Sequence, residues 1–235
     1  MTIQPRVVDL FHGDILYSDV HHTDPVADFR AMGNAGIWGV IHKATQGLGN
    51  ADPAYMLRTK NARLADLLTG AYHFNTGDTP QGQINHFFDV VEPDAQTMMA
   101  LDFEDNRASQ MTLAEAATFL YLADEKLGRP VWLYGGNRPK ELLAGASAEI
   151  RALFGKRPWG LPQYASAPNI HDYDGKPMPW ANWTLWQFTG DGVGPPPHAL
   201  PGVITQGIDI NTFIGTRAQL TAAWTGADLA LAVTS

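Results

Sequence analysis

The sequence predicts an α/β fold, an irregular TIM-like (β/α)5β3 barrel that forms a single domain. Three observations support this prediction. Eight short apolar runs recur along the chain, each ends in polar or aromatic residues, and the early runs lie about 30 residues apart. The length of 235 residues suits one hydrophobic core of this size. We therefore expect residues 1–224 to form the barrel and residues 225–235 to form a weakly ordered tail.

The eight apolar runs are the candidate strands. Most of them are apolar at successive positions, which is typical of parallel strands that are buried on both faces. They cover residues 7–9, 39–43, 70–74, 99–104, 131–134, 161–164, 183–187 and 207–211.

Proline-containing caps predict the first three helices between these runs. In each cap, Asp or Thr stands directly before a proline, and proline suits the first position of a helix. The pairs are Asp24-Pro25, Asp52-Pro53 and Thr79-Pro80, ahead of predicted helices at residues 26–32, 54–68 and 81–91.

A capping box predicts the fourth helix. Thr112 and Glu115 have its spacing at the start of residues 113–127, and Gly128 is placed to end the helix. Further helices are predicted at residues 138–144 and 147–154, as one broken segment, and at residues 216–224. The last three strands are only about 22 residues apart, and their connections are rich in Pro and Gly, so we expect loops between them.

Composition excludes several classes of function. The net charge of −8 disfavours a nucleic-acid partner, because an acidic surface repels phosphates. The absence of cysteine excludes disulfides and thiolate metal sites. No apolar run approaches the roughly 20 residues of a membrane span, and residues 1–14 lack the apolar core of a secretory signal. We expect a monomer without a cofactor or metal, and with no insertion into membranes.

The polar residues that end the strands predict the functional site. In α/β barrels the active site lies at the carboxyl ends of the strands, so these side chains should converge there. They are Asp9, Lys43, Tyr72, His73, Asp102, Glu104, Tyr134, Tyr164, Gln187, Asp209 and Asn211.

Asp102 and Glu104 carry the strongest chemical signal. Side chains at positions i and i+2 of a strand point the same way, so the two carboxyl groups should share one site. Mutual repulsion raises the pKa of at least one of them, which gives a proton donor beside an ionised neighbour, as glycoside hydrolysis requires. Alone, the pair also fits an exposed strand end or a site for Mg²⁺ or Ca²⁺. The nearby aromatic residues favour a sugar.

Several further residues extend this site. Asp9 and Asp209 belong to the first and last strands, which are neighbours in a closed barrel. They are either additional acid/base groups or hydrogen-bonding groups that close the barrel. Lys43 is expected to pair with a carboxylate. The aromatic residues Tyr72, Tyr134, Tyr164, Trp186 and Phe188 either line a sugar-binding groove or pack in the core. The sequence contains no nucleophile elbow, phosphate loop or dinucleotide fingerprint.

Six motifs in order resemble one known family, the glycoside hydrolase family 25 lysozymes. They cover residues 8–10, 40–47, 70–74, 101–104, 185–189 and 207–213. The resemblance runs from about residue 7 to residue 213 and implies an irregular barrel of eight strands and five helices. It also implies cleavage of the β-1,4 bond between N-acetylmuramic acid and N-acetylglucosamine in peptidoglycan, with retention.

The resemblance implies a role for each site residue. Glu104 stands at the position of the general acid. Asp102 stands where the family has either a nucleophile or a group that assists the acetamido group of the substrate. Asp9 and Asp209 correspond to supporting residues of the catalytic set. The substrate-binding residues are expected to be Tyr72, Lys43, Tyr134, Tyr164, Trp186, Gln187 and Asn211.

Three departures from the family pattern concern the wall of the groove. Phe11 stands where the family usually has Ser, Gln46 where it has Glu, and residues 161–164 differ from its usual Trp-x-Ala-x-Tyr. Two alternatives therefore stay open: a barrel that binds glycan without cleaving it, and a glycosidase for another amino-sugar polymer such as chitin. With no signal peptide in this chain, a phage endolysin or an intercellular effector that reaches the cell wall by another route would fit.

Overall fold

The computed structural model describes residues 4–171 and 174–227, and in these residues eight strands close into a barrel. The strands are β1 (Arg6–Leu10), β2 (Ile37–Gln46), β3 (Asn50–Ala51), β4 (Leu68–Phe74), β5 (Met98–Asp102), β6 (Trp132–Tyr134), β7 (Trp159–Pro162), β8 (Leu185–Thr189) and β9 (Asp209–Phe213). The helices are α1 (Tyr17–His21), α2 (Pro25–Asn34), α3 (Tyr55–Leu64), α4 (Pro80–Val91), α5 (Leu113–Leu127), α6 (Asn137–Ala144), α7 (Ala148–Gly155) and α8 (Arg217–Thr225).

The order of strands around the barrel is β1-β9-β8-β7-β6-β5-β4-β2, and β1 pairs with β2 to close it. The predicted eight-stranded α/β barrel is confirmed. The short β3, which was not predicted, pairs only with the end of β2. The last strand departs from the expected parallel arrangement, because β9 runs antiparallel to both β1 and β8. A loop connection without a crossover helix permits this reversal.

The reversal of β9 determines where Asp209 lies. Asp209 begins its strand rather than ending it, and it is paired in register with Asp9 of β1. Because an antiparallel strand starts at the end where its neighbours finish, Asp209 still lies at the mouth of the barrel, with the carboxyl ends of the parallel strands.

The helices agree only in part with the capping signals. Asp24 caps α2 as predicted, but the N-cap of α3 is Ala54 and not Asp52, and Thr79 stands at the N-cap of α4 without a side-chain hydrogen bond.

Thr112 and Glu115 form the capping box of α5, and Gly128 ends that helix in the left-handed conformation with φ of 75°. The predicted helix at residues 54–68 is too long, because Asp66 adopts a left-handed conformation with φ of 60° and β4 already begins at Leu68. The five-residue α1 was not predicted, since one short turn carries no periodic pattern.

The base of the barrel is filled by side chains. Apolar residues of the strands, among them Val7, Ile41 and Trp132, pack with Trp224 of α8. Trp224 lies under the barrel, and a Cβ atom at Gly39 or Gly70 would come within 3.1 Å of its ring, so glycine at both positions permits this packing. The interior is therefore closed at the base and open at the mouth.

Two larger apolar clusters pack the helices against the outside of the barrel. None of the helices among the described residues is long and apolar enough to cross a membrane. The predicted tail lies outside the described residues from position 228 onward, while Thr225 still belongs to α8.

Candidate active site

A cavity of about 300 Å³ opens at the mouth of the barrel and reaches into its interior. We call it the catalytic cavity. Nine of the eleven residues predicted to converge line it: Asp9, Lys43, Tyr72, Asp102, Glu104, Tyr134, Tyr164, Gln187 and Asp209. The exceptions are His73 and Asn211.

Asp102 and Glu104 reach the catalytic cavity from the end of β5. Asp102 is the last residue of the strand and is 7% exposed, while Glu104 lies two positions further on, just beyond the strand. Between them Phe103 points away from the cavity and is fully buried, and its N–H donates to the carbonyl of Tyr134 at 2.8 Å. The alternation of the strand therefore continues far enough to direct both carboxyl groups inward.

Asn75 holds this segment from the side. Its Nδ2 donates to the carbonyl oxygens of Asp102 (3.0 Å) and Glu104 (2.9 Å). Asn75 is fully buried, so these contacts position the backbone of both acidic residues. Sequence reasoning did not identify Asn75, because it follows β4 without belonging to a recognisable acidic or aromatic pattern.

Burial and charge repulsion both act on Asp102. Burial raises the pKa of Asp102 well above its usual value, and the negative charges of Glu104 and Asp9 raise it further, while Lys43 works in the opposite direction. Among the described residues, no group donates a hydrogen bond to its buried Oδ1. That oxygen is therefore buried without a hydrogen-bond donor, which is energetically costly.

Glu104 has the properties of a proton donor near neutral pH. Burial raises its pKa to about 6, with further contributions from the charges of Asp105 and Asp191. It is half-buried, so a substrate can reach its carboxyl group.

Asp9 and Asp209 lie side by side opposite this pair. Burial raises the pKa of Asp9 well above its usual value despite a 2.6 Å hydrogen bond from Asn211 Nδ2. Burial and the charge of Asp191 raise the pKa of Asp209 to about 7. A side chain at Gly190 would overlap Asp209 and the hydroxyl of Tyr164, so glycine is needed there for their close approach.

Four of the residues considered at the mouth lie elsewhere. Asn211 is fully buried and donates to Asp9 and to the carbonyl of Val7, so it positions Asp9 rather than lining the cavity.

Trp186 and Phe188 flank Gln187 on β8, and alternation turns both outward. Trp186 donates to the carbonyl of Gln163 and lies 5.9 Å from the ring of Trp183.

His73 also points away from the cavity. It is fully buried between Thr45 and Gln83, at 2.7 Å and 3.0 Å, and its ring stacks on Phe119. Burial lowers the pKa of His73 to about 4, so the imidazole is neutral and structural.

Lys43 does not form the expected ion pair with any carboxylate of the described residues. Its Nζ donates to Gln46 Oε1 at 2.7 Å and lies 5.1 Å from the centre of the Phe74 ring. Burial lowers the pKa of Lys43, and the charge of Asp102 partly opposes that shift. Lys43 therefore acts on the acidic cluster through space.

Among the lining residues that were not predicted as part of the site, three are aromatic or acidic and lie near the mouth: Phe11, Phe74 and Asp191. Phe74 is the next inward-facing residue of β4 after Tyr72, so alternation could have identified it. Asp191 lies in a tight turn with φ of 51°, within a loop that carries no periodic pattern. Phe11 was noticed only as a departure from a family motif.

The arrangement is suited to acid/base chemistry on a sugar. A carboxyl group that holds its proton near pH 6 lies beside a second carboxyl group, and tyrosines and phenylalanines form the walls. Among the described residues, no group of three or more His, Asp or Glu side chains has the geometry of a metal site.

Comparisons with known proteins agree with this fold. The model of Glycosyl hydrolases family 25 matches residues 18–195. The chain is 24% identical over 220 residues to Lysozyme M1 of Streptomyces globisporus, over 87% of this chain and 69% of that protein. It is 32% identical over 73 residues to an autolytic lysozyme of Clostridium acetobutylicum, over 31% of this chain and only 22% of that protein.

Among solved structures, a bacterial lysozyme from Streptomyces coelicolor has the same fold. Its TM-score is 0.75 at 21% sequence identity, with 97% of this chain and 100% of that chain covered. The likeness therefore extends over the whole barrel.

Proposed function

Because the chain belongs to family 25 of the glycosyl hydrolases, we propose that it is a muramidase that acts on bacterial peptidoglycan. The bond cleaved is the β-1,4 bond between N-acetylmuramic acid and N-acetylglucosamine. One observation carries the proposal: Glu104, with its pKa raised to about 6, shares a cavity with the buried Asp102. The relatives named as lysozymes support the same activity.

In this proposal Glu104 is the general acid. It gives its proton to the glycosidic oxygen as the bond to the anomeric carbon breaks, so the leaving sugar departs with a hydroxyl group. The ionised Glu104 then takes a proton from the water that attacks the anomeric carbon. Two displacements at the same carbon give retention of configuration.

Asp102 stabilises the positive charge that develops at the anomeric carbon. It does so in one of two ways. Either its carboxylate bonds to that carbon, or it accepts a hydrogen bond from the acetamido N–H of the substrate while the carbonyl oxygen of that acetamido group attacks the anomeric carbon and the leaving sugar departs. Asp102 lines the catalytic cavity beside Glu104, which supports a contact with the substrate in either case. Asp9 and Asp209 support this pair from the opposite wall.

The sugar is held by the remaining residues of the catalytic cavity. Tyr72, Tyr134 and Tyr164 offer aromatic faces and hydroxyl groups to a pyranose. Lys43 and Gln187 add polar contacts. Trp186 is not part of this proposal, because it faces away from the cavity. The enzyme acts where its substrate lies, in the cell wall.

The test is product analysis on purified peptidoglycan. We expect the wild-type protein to release fragments with N-acetylmuramic acid at the new reducing end, and Glu104→Gln to lower the rate by on the order of a thousandfold. Glu125→Gln, on the exposed face of α5, is the matched control and should retain full activity.

Two outcomes would contradict the proposal. Binding of peptidoglycan without new reducing ends would indicate a glycan-binding barrel. New reducing ends on chitin but not on peptidoglycan would indicate a glycosidase for another amino-sugar polymer.

A further inference from the structure

The catalytic cavity lies between two other cavities at the mouth. One, of about 460 Å³, follows β6 and β7 and shares Glu104 and Tyr164 with it; we call it the β6–β7 cavity. The other, of about 340 Å³, follows β1 and shares Asp9, Phe11 and Asp209 with it; we call it the β1–β9 cavity. Together the three cavities form a track across the barrel.

The positions of the two central carboxyl groups give this track a direction, if the proposed function holds. Glu104 lines both the catalytic cavity and the β6–β7 cavity, so the bond that receives its proton lies at their boundary. Asp102 lines the catalytic cavity but is not part of the β6–β7 lining, so the sugar with the anomeric carbon occupies the catalytic cavity. The leaving sugar then occupies the β6–β7 cavity, and the non-reducing side of the glycan points to the β1–β9 cavity.

Phe11 stands at the boundary between the catalytic cavity and the β1–β9 cavity. Its side chain is 42% exposed, which is unusual for a phenylalanine. Three hydrogen bonds nevertheless hold its backbone: its N–H donates to Asp14 Oδ2 (2.8 Å), and its carbonyl accepts from Arg58 Nη1 (2.7 Å) and from the N–H of Asp14 (3.0 Å). The ring therefore has a fixed anchor although it faces solvent.

Gly13 determines how the ring of Phe11 lies. A Cβ atom at position 13 would lie 2.4 Å from two carbons of the Phe11 ring, so the ring packs directly against the backbone of Gly13 and a larger residue there would push it aside. His12, between them, packs edge-on against the ring with centroids 5.3 Å apart, and its Nδ1 is tied to Asp52 at 2.8 Å. One face of the ring is thus supported by the protein.

We propose that Phe11 is a stacking platform for the sugar on the non-reducing side of the cleaved residue. A flat, supported and exposed aromatic ring matches the apolar face of a pyranose. The β1–β9 cavity is also lined by the carboxyl groups of Asp14, Asp191 and Asp209, which favour a ligand with hydroxyl donors over an anionic one. In peptidoglycan that neighbouring sugar is N-acetylglucosamine, which lacks the carboxylate of N-acetylmuramic acid.

The experiment compares substrates that do and do not reach Phe11. The disaccharide N-acetylmuramic acid–N-acetylglucosamine spans only the cleaved bond. The tetrasaccharide has one more N-acetylglucosamine at its non-reducing end and one more N-acetylmuramic acid at its reducing end. Its first sugar reaches the β1–β9 cavity. We expect Phe11→Ala to lower kcat/KM about tenfold on the tetrasaccharide, mainly through KM, and by a clearly smaller factor on the disaccharide, which meets the ring only where it lines the catalytic cavity. Phe11→Trp should stay near the wild type on both.

Two variants control for folding and for general surface effects. Phe11→Leu keeps an apolar side chain over Gly13 but has no aromatic face, so it should lose activity on the tetrasaccharide as Phe11→Ala does. Tyr121→Ala removes an aromatic residue that is 56% exposed on α5 and should change neither substrate. Equal losses on both substrates, or full activity of Phe11→Leu on the tetrasaccharide, would overturn the proposal.

Binding separates this inference from the proposed function. Titration of Glu104→Gln with the same two glycans, and with chitin oligomers of the same lengths, measures the platform without cleavage. If adding Phe11→Ala to Glu104→Gln weakened the binding of the longer glycans more than that of the shorter ones, the platform would be supported even if the wild type cleaved neither polymer. No loss of affinity for any of these glycans would reject it even if the wild type were an active muramidase.

Discussion

The base and the mouth of the barrel hold their carboxyl groups in opposite ways. At the base, Asp124 accepts hydrogen bonds from both terminal nitrogens of Arg157, at 3.1 Å each. Burial acts to raise the pKa of Asp94, but hydrogen bonds from Thr97 and Arg63 outweigh it and lower that pKa to about 2. Each of these two acids is therefore paired with an arginine.

At the mouth four acids of the catalytic cavity have raised pKa values: Asp9, Asp102, Glu104 and Asp209. Burial is the largest cause for each of them, and repulsion from neighbouring carboxyl groups adds to it. The comparison teaches that the barrel separates two tasks. Carboxylates paired with arginine at the base stabilise the fold. At the mouth none of the four acids forms an ion pair with a described residue, and the raised pKa of Glu104 leaves it a proton to donate near pH 6, at a cost in stability.

The largest effect expected at the mouth is on activity. Asp102→Asn keeps the shape of the side chain but removes the charge that stabilises the transition state, so we expect kcat to fall by on the order of a thousandfold. The free energy of unfolding should not fall, because a buried, repelled carboxyl group is removed. Reducing-end assays and urea unfolding measure the two effects. If the free energy of unfolding fell by as much as the lost stabilisation of the transition state, Asp102 would act mainly in holding the fold together, as Asp124 does at the base.

The corresponding change at the base should have the opposite profile. Asp124→Ala leaves Arg157, which is 1% exposed, without its carboxylate, so we expect the free energy of unfolding to fall by roughly 3 kcal/mol. Under conditions where the variant is folded, its kcat/KM should match the wild type. A large fall in kcat/KM of the folded variant would show that the two ends are coupled.

The pH dependence of stability sharpens the comparison at Asp209. Its pKa in the folded state is about 7, above the ordinary 3.8, so the folded state binds this proton more tightly than the unfolded chain. The resulting stability is fully present below about pH 4 and is lost as the pH rises through about 7. Asp209→Asn should therefore be more stable than the wild type at pH 8, by on the order of 2 kcal/mol, and should lose that advantage toward pH 4.

Chemical unfolding across this pH range measures the difference. Asp89→Asn, at an exposed position of α4, is the control and should follow the wild type throughout. A gain in stability of Asp209→Asn that is the same at pH 4 and pH 8 would contradict the raised pKa of Asp209.

The smallest effect concerns the acid itself. After burial, the charge of Asp105 is the largest contribution that raises the pKa of Glu104. Asp105→Asn should lower that pKa, so the decline of kcat/KM with rising pH should move to lower pH by a few tenths of a unit. An unchanged or upward-shifted decline would show that Asp105, which also pairs with Arg138 at 3.3 Å, acts in another way.

Much of this architecture could be predicted because it depends on local patterns. The spacing of the apolar runs predicted eight strands, and the capping box at Thr112 predicted the start of α5. Position at a strand end also brought Asp9, Asp102 and Glu104 into one site. These signals depend on strand alternation and helix ends, which a short segment determines by itself.

The errors arose where the fold depends on distant contacts. The direction of β9 follows from pairing with β1 and β8, which its own sequence does not specify. Trp186 and Gln187 are neighbours on β8, so their side chains point to opposite faces of the strand and cannot both face the cavity. Alternation would have identified the outward-facing residue once the other was known to face inward. Asn75 and Asp191 lie in loops that contact distant segments: Asn75 donates to the carbonyls of Asp102 and Glu104, and the backbone N–H of Asp191 donates to the carboxyl group of Asp209.

The most direct test of the difference between mouth and base is the titration of Glu104 itself. Carbon NMR of the side-chain carboxyl group, assigned with Glu104→Gln, measures its pKa in the folded protein. We predict a midpoint about pH 6, matched by the decline of kcat/KM on peptidoglycan at higher pH. A midpoint at the ordinary value of 4.5 would contradict this account. So would a decline of kcat/KM centred at a pH clearly different from the measured pKa of Glu104, because Glu104 would then not be the proton donor.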